Sequence, residues 1–171
     1  TEYNGALTLI PNVYVQHQFV NVTYDDNSTA RYAAYCFESN KLEYQSTTNL
    51  HLTENITDVG YFYISEHGYQ TNHAATFSGA TGTEKTDYYI TQMALWWYQD
   101  LVNGVPDSSD GSLEALFKNG TYSGDSKTIH DAIKSFAYAA KSYHDTGKTI
   151  DTSSATISLS SNPSSKMMTY D

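Results

Sequence analysis

"TDYYITQMALWWYQDLVNG", residues 86–104, is where the hydrophobic period of the chain changes. Ile90, Met93, Ala94, Trp97 and Leu101 recur at helical spacing. Thr86 and Asp87 supply N-cap chemistry, and Gly104 can close the segment. Before it, residues 5–65 read mainly as strands rich in Val, Tyr and Phe: "ALTLI" (6–10), "VYVQHQFVNVTY" (13–24), "ARYAAYCFE" (30–38) and "VGYFYIS" (59–65). "DDNST" (25–29) reads as a turn, and the polar stretch at 71–86 as a surface loop. After it, "SLEALFKNG" (112–120) is a short helix. In 125–147, Ile129, Ala132, Ile133, Phe136, Ala137, Ala140 and Tyr143 share one helical face, with Gly147 closing. "ATISLSS" (155–161) and "KMMTY" (166–170) return to strand character. The expectation is a single α+β domain over 1–171. A β-sandwich or sheet lobe (about 5–70 and 150–171) carries an inserted or packed helical lobe (about 86–147).

Composition narrows the function classes. Nine Lys+Arg against nineteen Asp+Glu give a formal charge of −10, a field that repels nucleic acid and acidic membrane surfaces. Hydrophobic content is 39%, and sixteen tyrosines add packing area that keeps a polar tip. No run is long and apolar enough for membrane insertion, and no signal peptide stands at Thr1. A single cysteine excludes an internal disulfide and a multi-Cys zinc cluster. The Ser/Thr/Asn/Tyr-rich, Lys/Arg-poor surface suggests an extracytoplasmic protein. Sequons at Asn21, Asn27, Asn55 and Asn119 are frequent by chance in such a composition.

Local motifs for familiar chemistry are missing. The six histidines form neither HxH nor HExxH, so no metal is expected. "DSSDGSLEALFKN" (107–119) lacks the alternating ligands of a calcium loop and reads as a helix-capping loop. "GATGTEKT" (79–86) lacks Gly-Lys-Ser/Thr and follows no apolar strand, so no nucleotide cofactor is expected. No G-x-S-x-G elbow marks a hydrolase, and nothing local marks a base for a Cys-His pair.

Cys36 is the atom of interest. Inside an apolar strand a lone cysteine ordinarily packs as a small hydrophobe. Its setting becomes more specific beside two other segments. "YCF" (35–37) with Lys41 downstream, "YFYISEHGYQ" (61–70) and "TQMALWW" (91–97) together resemble the thioester domains of Gram-positive surface adhesins. The last segment matches the family's Thr-Gln-x-Ala-aliphatic-Trp motif at Thr91, Gln92, Ala94, Leu95 and Trp96.

The resemblance implies an unusual bond. In that family a glutamine side chain acylates the cysteine, releasing ammonia, and the internal thioester is then attacked by a lysine amine of a host protein. Cys36 would be the acyl acceptor, with Thr91 and Gln92 supporting the site. Tyr35, Phe37, Trp96 and Trp97 would lie near it, shielding it from water. The implied partner is a host extracellular or cell-surface protein. The implied place is the bacterial cell surface, wall-anchored through regions outside this chain.

One feature departs from the family pattern. After Gln99 the chain has no glutamine, and Lys166 stands near the expected donor position, before Met167 and Met168. Three explanations stay open: a donor beyond Asp171, replacement by Lys166, or Gln92 itself as donor. The strand character of the final segment favours replacement. One bond spent per molecule means no enzymatic turnover. The rival readings are a non-covalent adhesin or pilin domain of the same fold, and a secreted hydrolase with a dispersed site.

Overall fold

A computed structural model describes residues 2–3, 6–11, 13–37, 56–117 and 123–147. Nine elements follow in order: β1 (Glu2–Tyr3), β2 (Ala6–Ile10), β3 (Val13–Gln16), β4 (Gln18–Thr23), β5 (Thr29–Ala34), α1 (Val59–His67), α2 (Glu84–Val102), α3 (Leu113–Phe117) and α4 (Asp125–Asp145). Mixed α+β character is therefore correct, with two small antiparallel sheets and four helices among the described residues.

The first sheet has the order β1-β2-β3, with Leu7 opposite Val15 and Ile10 opposite Val13. These four side chains are buried, so this sheet presents its apolar face to the helices. The second sheet is the β4–β5 hairpin, in register from Gln18↔Ala34 to Thr23↔Thr29. Asn27 turns it at φ +63°, a left-handed position that asparagine tolerates.

Residues 13–24, expected as one strand, divide at His17. The phenol of Tyr88 enters at the break. Its oxygen accepts from the Gln18 N–H (3.1 Å) and lies 3.0 Å from the Gln16 carbonyl and 2.5 Å from that of Ala34. A side chain from α2 thus supplies hydrogen bonds that a continuous ladder would have made.

The expected strand at 59–65 is a helix, α1, so the sheet lobe does not extend through 70 as expected. Asp58 starts α1 by accepting from the N–H groups of Gly60 (2.8 Å) and Tyr61 (3.2 Å). Val59, Gly60 and Ile64 are buried, while Phe62 is exposed. Aromatic residues on both faces hide the helical period and mimic strand composition.

The core is organised around α2, whose residues Asp87–Tyr98 are all buried. It packs most extensively on α4, and also on α1, β2 and β3. The predicted face of α4 holds, with Ala132, Ile133, Phe136, Ala137 and Ala140 buried and Phe136 stacked on Phe77 at 4.7 Å. Both long helices end as read, at Gly104 and Gly147 with positive φ.

The start of α2 is corrected. Thr83 is the N-cap, while Thr86 and Asp87 lie inside the first turns. Asp87 instead turns its carboxylate back to the loop, accepting from the N–H of Thr81 (2.7 Å), the N–H of Gly82 (2.9 Å) and the Thr81 hydroxyl (2.9 Å). Two amides of "GATGTEKT", those of Thr81 and Gly82, are thus satisfied by the chain's own carboxylate. The short helix at 112–120 is observed over Leu113–Phe117. The strands expected at 155–161 and 166–170 lie outside the described residues.

Candidate functional site

The chain leaves β5 at Ala34, and Tyr35, Cys36 and Phe37 run on from it across α2. Cys36 is half-buried and in no disulfide. Its main chain is held by a two-point clamp. The Cys36 N–H donates to Gln92 Oε1 at 2.7 Å, and Gln92 Nε2 donates to the Cys36 carbonyl at 2.7 Å. Trp96 Nε1 donates to the same carbonyl at 2.8 Å. Gln92 and Trp96 are i and i+4 on α2, hence on one face. The carboxamide imitates a strand neighbour, and the indole fills the second acceptor direction of the carbonyl.

Thr91 works one position away. Its hydroxyl donates to the Asp87 carbonyl at 2.7 Å and accepts from the Tyr69 N–H at 2.9 Å. This anchors the Gly68-Tyr69 step that ends α1. Gly68 is required there because a Cβ would stand 2.5 Å from Thr91 Cγ2 and from the Ile64 carbonyl. Tyr35 closes the circuit by donating its hydroxyl to the Tyr69 carbonyl. Its ring stacks on Tyr88 at 4.9 Å. Burial, reinforced by Tyr88, raises the Tyr35 phenol above its ordinary range, so it remains a protonated donor. The three segments singled out in the sequence therefore meet: 35–37, 68–69, and 91, 92 and 96.

Phe37 follows on the outer side, exposed, with its ring 5.0 Å from that of Tyr61. Trp97, expected beside the cysteine, points elsewhere. Its Nε1 donates to Asp107 Oδ1 at 3.0 Å and its ring packs on Phe117 at 5.6 Å. A helix advances about 100° per residue, so two adjacent tryptophans cannot serve one face. Asp107 also accepts from Tyr138 (2.9 Å) and lies 3.4 Å from Lys134 Nζ. Lys41 and Lys166 lie outside the described residues.

Sequence reasoning missed Tyr69, Tyr61 and Tyr88 as individuals. Among sixteen tyrosines nothing but position relative to Cys36 distinguishes them.

The arrangement defines a domain that presents one cysteine from a strand exit against a helix, with its peptide groups held by Gln92 and Trp96. The family model of the thioester domain matches residues 33–142, which contain every residue of this clamp, and the chain belongs to that family. Thioester domains occur in surface-exposed adhesins and bind protein partners by covalent linkage to lysine, so the chain is adhesin-like in general character. No curated protein and no solved structure matches the chain. No helix among the described residues is long and apolar enough to cross a membrane.

Proposed function

We propose that this domain is the host-binding part of a wall-anchored Gram-positive surface protein, and that Cys36 is its acyl-accepting residue. In the reaction, the Cys36 thiol adds to a glutamine carboxamide and ammonia leaves, giving a thioester. An amine from a host lysine then adds to the thioester carbonyl, an amide forms, and the Cys36 thiol is released. Each molecule spends one bond, so the chain acts once and does not turn over. In the same reading the sheet lobe is a β-sandwich, and the whole chain is one domain.

The observation that carries this reading is the clamp of Gln92 and Trp96 on the Cys36 peptide groups. A cysteine that only fills the core needs no such fixation, whereas a reacting sulfur gains from being held in one geometry. The clamp also bears on the donor. Both polar atoms of the Gln92 carboxamide are engaged with the main chain of Cys36, which favours a supporting role over acyl donation. The donor is then a glutamine beyond Asp171, or the bond is disarmed by Lys166.

Intact mass decides. A chain carrying the bond weighs about 17 Da less than its sequence and has no titratable thiol; methylamine restores the thiol as it adds. An unshifted mass with a titratable Cys36 returns the domain to non-covalent adhesion.

A further inference from the structure

Gln92 and Trp96 hold the Cys36 peptide groups from the side of α2. Gln99 continues the same face at i+7, and its side chain stands beside the hydroxyl of Tyr61 on α1. Burial raises the Tyr61 phenol above its usual range and Gln99 opposes that shift. Tyr61 therefore occupies the next place along the stripe that holds Cys36. Its ring meets Phe37, the residue after the cysteine, at 5.0 Å.

Tyr61 is fixed from behind. Its ring stands edge-on to Tyr98 at 4.9 Å and 84°. The Tyr98 hydroxyl donates to Asp58 Oδ1 at 2.5 Å, the oxygen that also accepts from the N–H of Tyr61 itself at 3.2 Å. His144 Nε2 lies 3.4 Å from the other oxygen of Asp58. Gly60 makes room for this arrangement, since a Cβ there would lie 2.1 Å from the Tyr98 ring carbon Cζ. One carboxylate thus sets both the backbone of Tyr61 and the ring that backs it.

We infer that Tyr61 is the residue that sets access to Cys36, forming with Phe37 an outer aromatic wall that an arriving amine must pass. This role rests on the covalent reading of Cys36 for its purpose, while the ring contacts of Tyr61 with Phe37 and Tyr98 are geometry. Aromatic rings suit both demands of such a site. They exclude water from an activated acyl group, and their faces attract an ammonium such as that of lysine. Tyr61 is a positioning residue: it shapes the approach and takes no part in bond making.

The test reads the Cys36 thiol of the full chain, after methylamine has opened any thioester. Alkylation rates are compared for iodoacetamide, which is small and neutral, and for a bulky maleimide. Tyr61→Ala is expected to raise the iodoacetamide rate about tenfold and the maleimide rate by more, while Tyr61→Phe stays within about twofold of the parent chain. An unchanged rate in Tyr61→Ala overturns the role. Equal acceleration of both reagents, in step with a lower Tm, also overturns it, because that pattern is general loosening. Should Tyr61→Ala not fold, Tyr98→Phe keeps every ring and releases only the tie to Asp58. It is expected to raise the iodoacetamide rate about threefold, and no change again overturns the role. A chain that shows no ammonia loss fails the covalent reading and leaves these rates fully readable.

Discussion

Two neighbouring tryptophans divide α2 into two working faces. Trp96 donates to the Cys36 carbonyl, beside Gln92, whereas Trp97 donates to Asp107 and packs against Phe117. The Trp96 face holds Cys36, in the stretch 35–37 that follows β5 outside any strand. The Trp97 face ties the segment before α3 to α4 through Asp107, Tyr138 and Lys134. The first face uses buried polar groups against main chain; the second uses a large ring in a packed seam with a charge network at its rim. Helical phase alone separates a site from a scaffold here.

Breaking the scaffold face gives the largest effect. Trp97 is 0% exposed, and Trp97→Ala is expected to cost about 3–5 kcal/mol by chemical denaturation. Cys36 alkylation in the folded fraction should stay near the parent rate. A large rise in that rate at denaturant concentrations where the chain is folded would mean the two faces are not independent.

Breaking the site face comes next. Gln92→Ala leaves the Cys36 N–H without its partner and removes one of two donors from its carbonyl. The expected cost is about 2–3 kcal/mol in the same denaturation experiment, with faster Cys36 alkylation. Gln92→Glu is the sharper variant: a carboxylate can accept from the Cys36 N–H but cannot donate to the carbonyl, so it recovers only part of the loss. Full recovery would show that the second bond of the clamp contributes nothing.

The smallest effect is in acid. Burial pushes the Asp107 carboxyl upward, but hydrogen bonds from Trp97 and Tyr138 and the Lys134 ammonium outweigh it, and the net shift lies below the ordinary value of 3.8. The folded chain therefore prefers the carboxylate. The resulting stability is present above about pH 4 and is lost as pH falls through the lowered folded value. Asp107→Asn should flatten that acid limb by about 1 kcal/mol or less, read from denaturation midpoints across the acid range. An unchanged limb would move the acid sensitivity of the fold away from this face.

Much of the site was legible because its chemistry is written in local pattern. The period of residues 86–104 marked α2, yet Trp97 was expected beside Cys36 with Trp96, and only the observed partners of the two rings separated them. The resemblance of 35–37, 61–70 and 91–97 to the thioester family brought together segments that the structure joins through Tyr35, Tyr69, Thr91, Gln92 and Trp96. Less legible was the nature of 59–65, where Tyr and Phe on every side erased the helical stripe and strand propensity prevailed. The break at His17 was also hidden, since it depends on a phenol arriving from residue 88. The cap of α2 was misplaced for a related reason. Asp87 has the right chemistry for a helix start, yet its carboxylate serves the preceding loop.

By itself, then, the sequence determined the helices whose apolar stripes are clean, the acidic and Tyr-rich character, and the family to which Cys36 and the Thr91-Gln92 pair belong. Periodicity and motif are local properties, and a linear chain displays them directly. Only the tertiary structure decided which peptide groups Gln92 holds, which tyrosines meet the residues flanking Cys36, and that α1 is a helix. Those outcomes depend on hydrogen bonds and ring contacts between residues 24 to 76 positions apart, such as Phe37 with Tyr61 and Tyr89 with the Val13 carbonyl. Such partners are fixed only once the burial of α2 has brought its neighbours together.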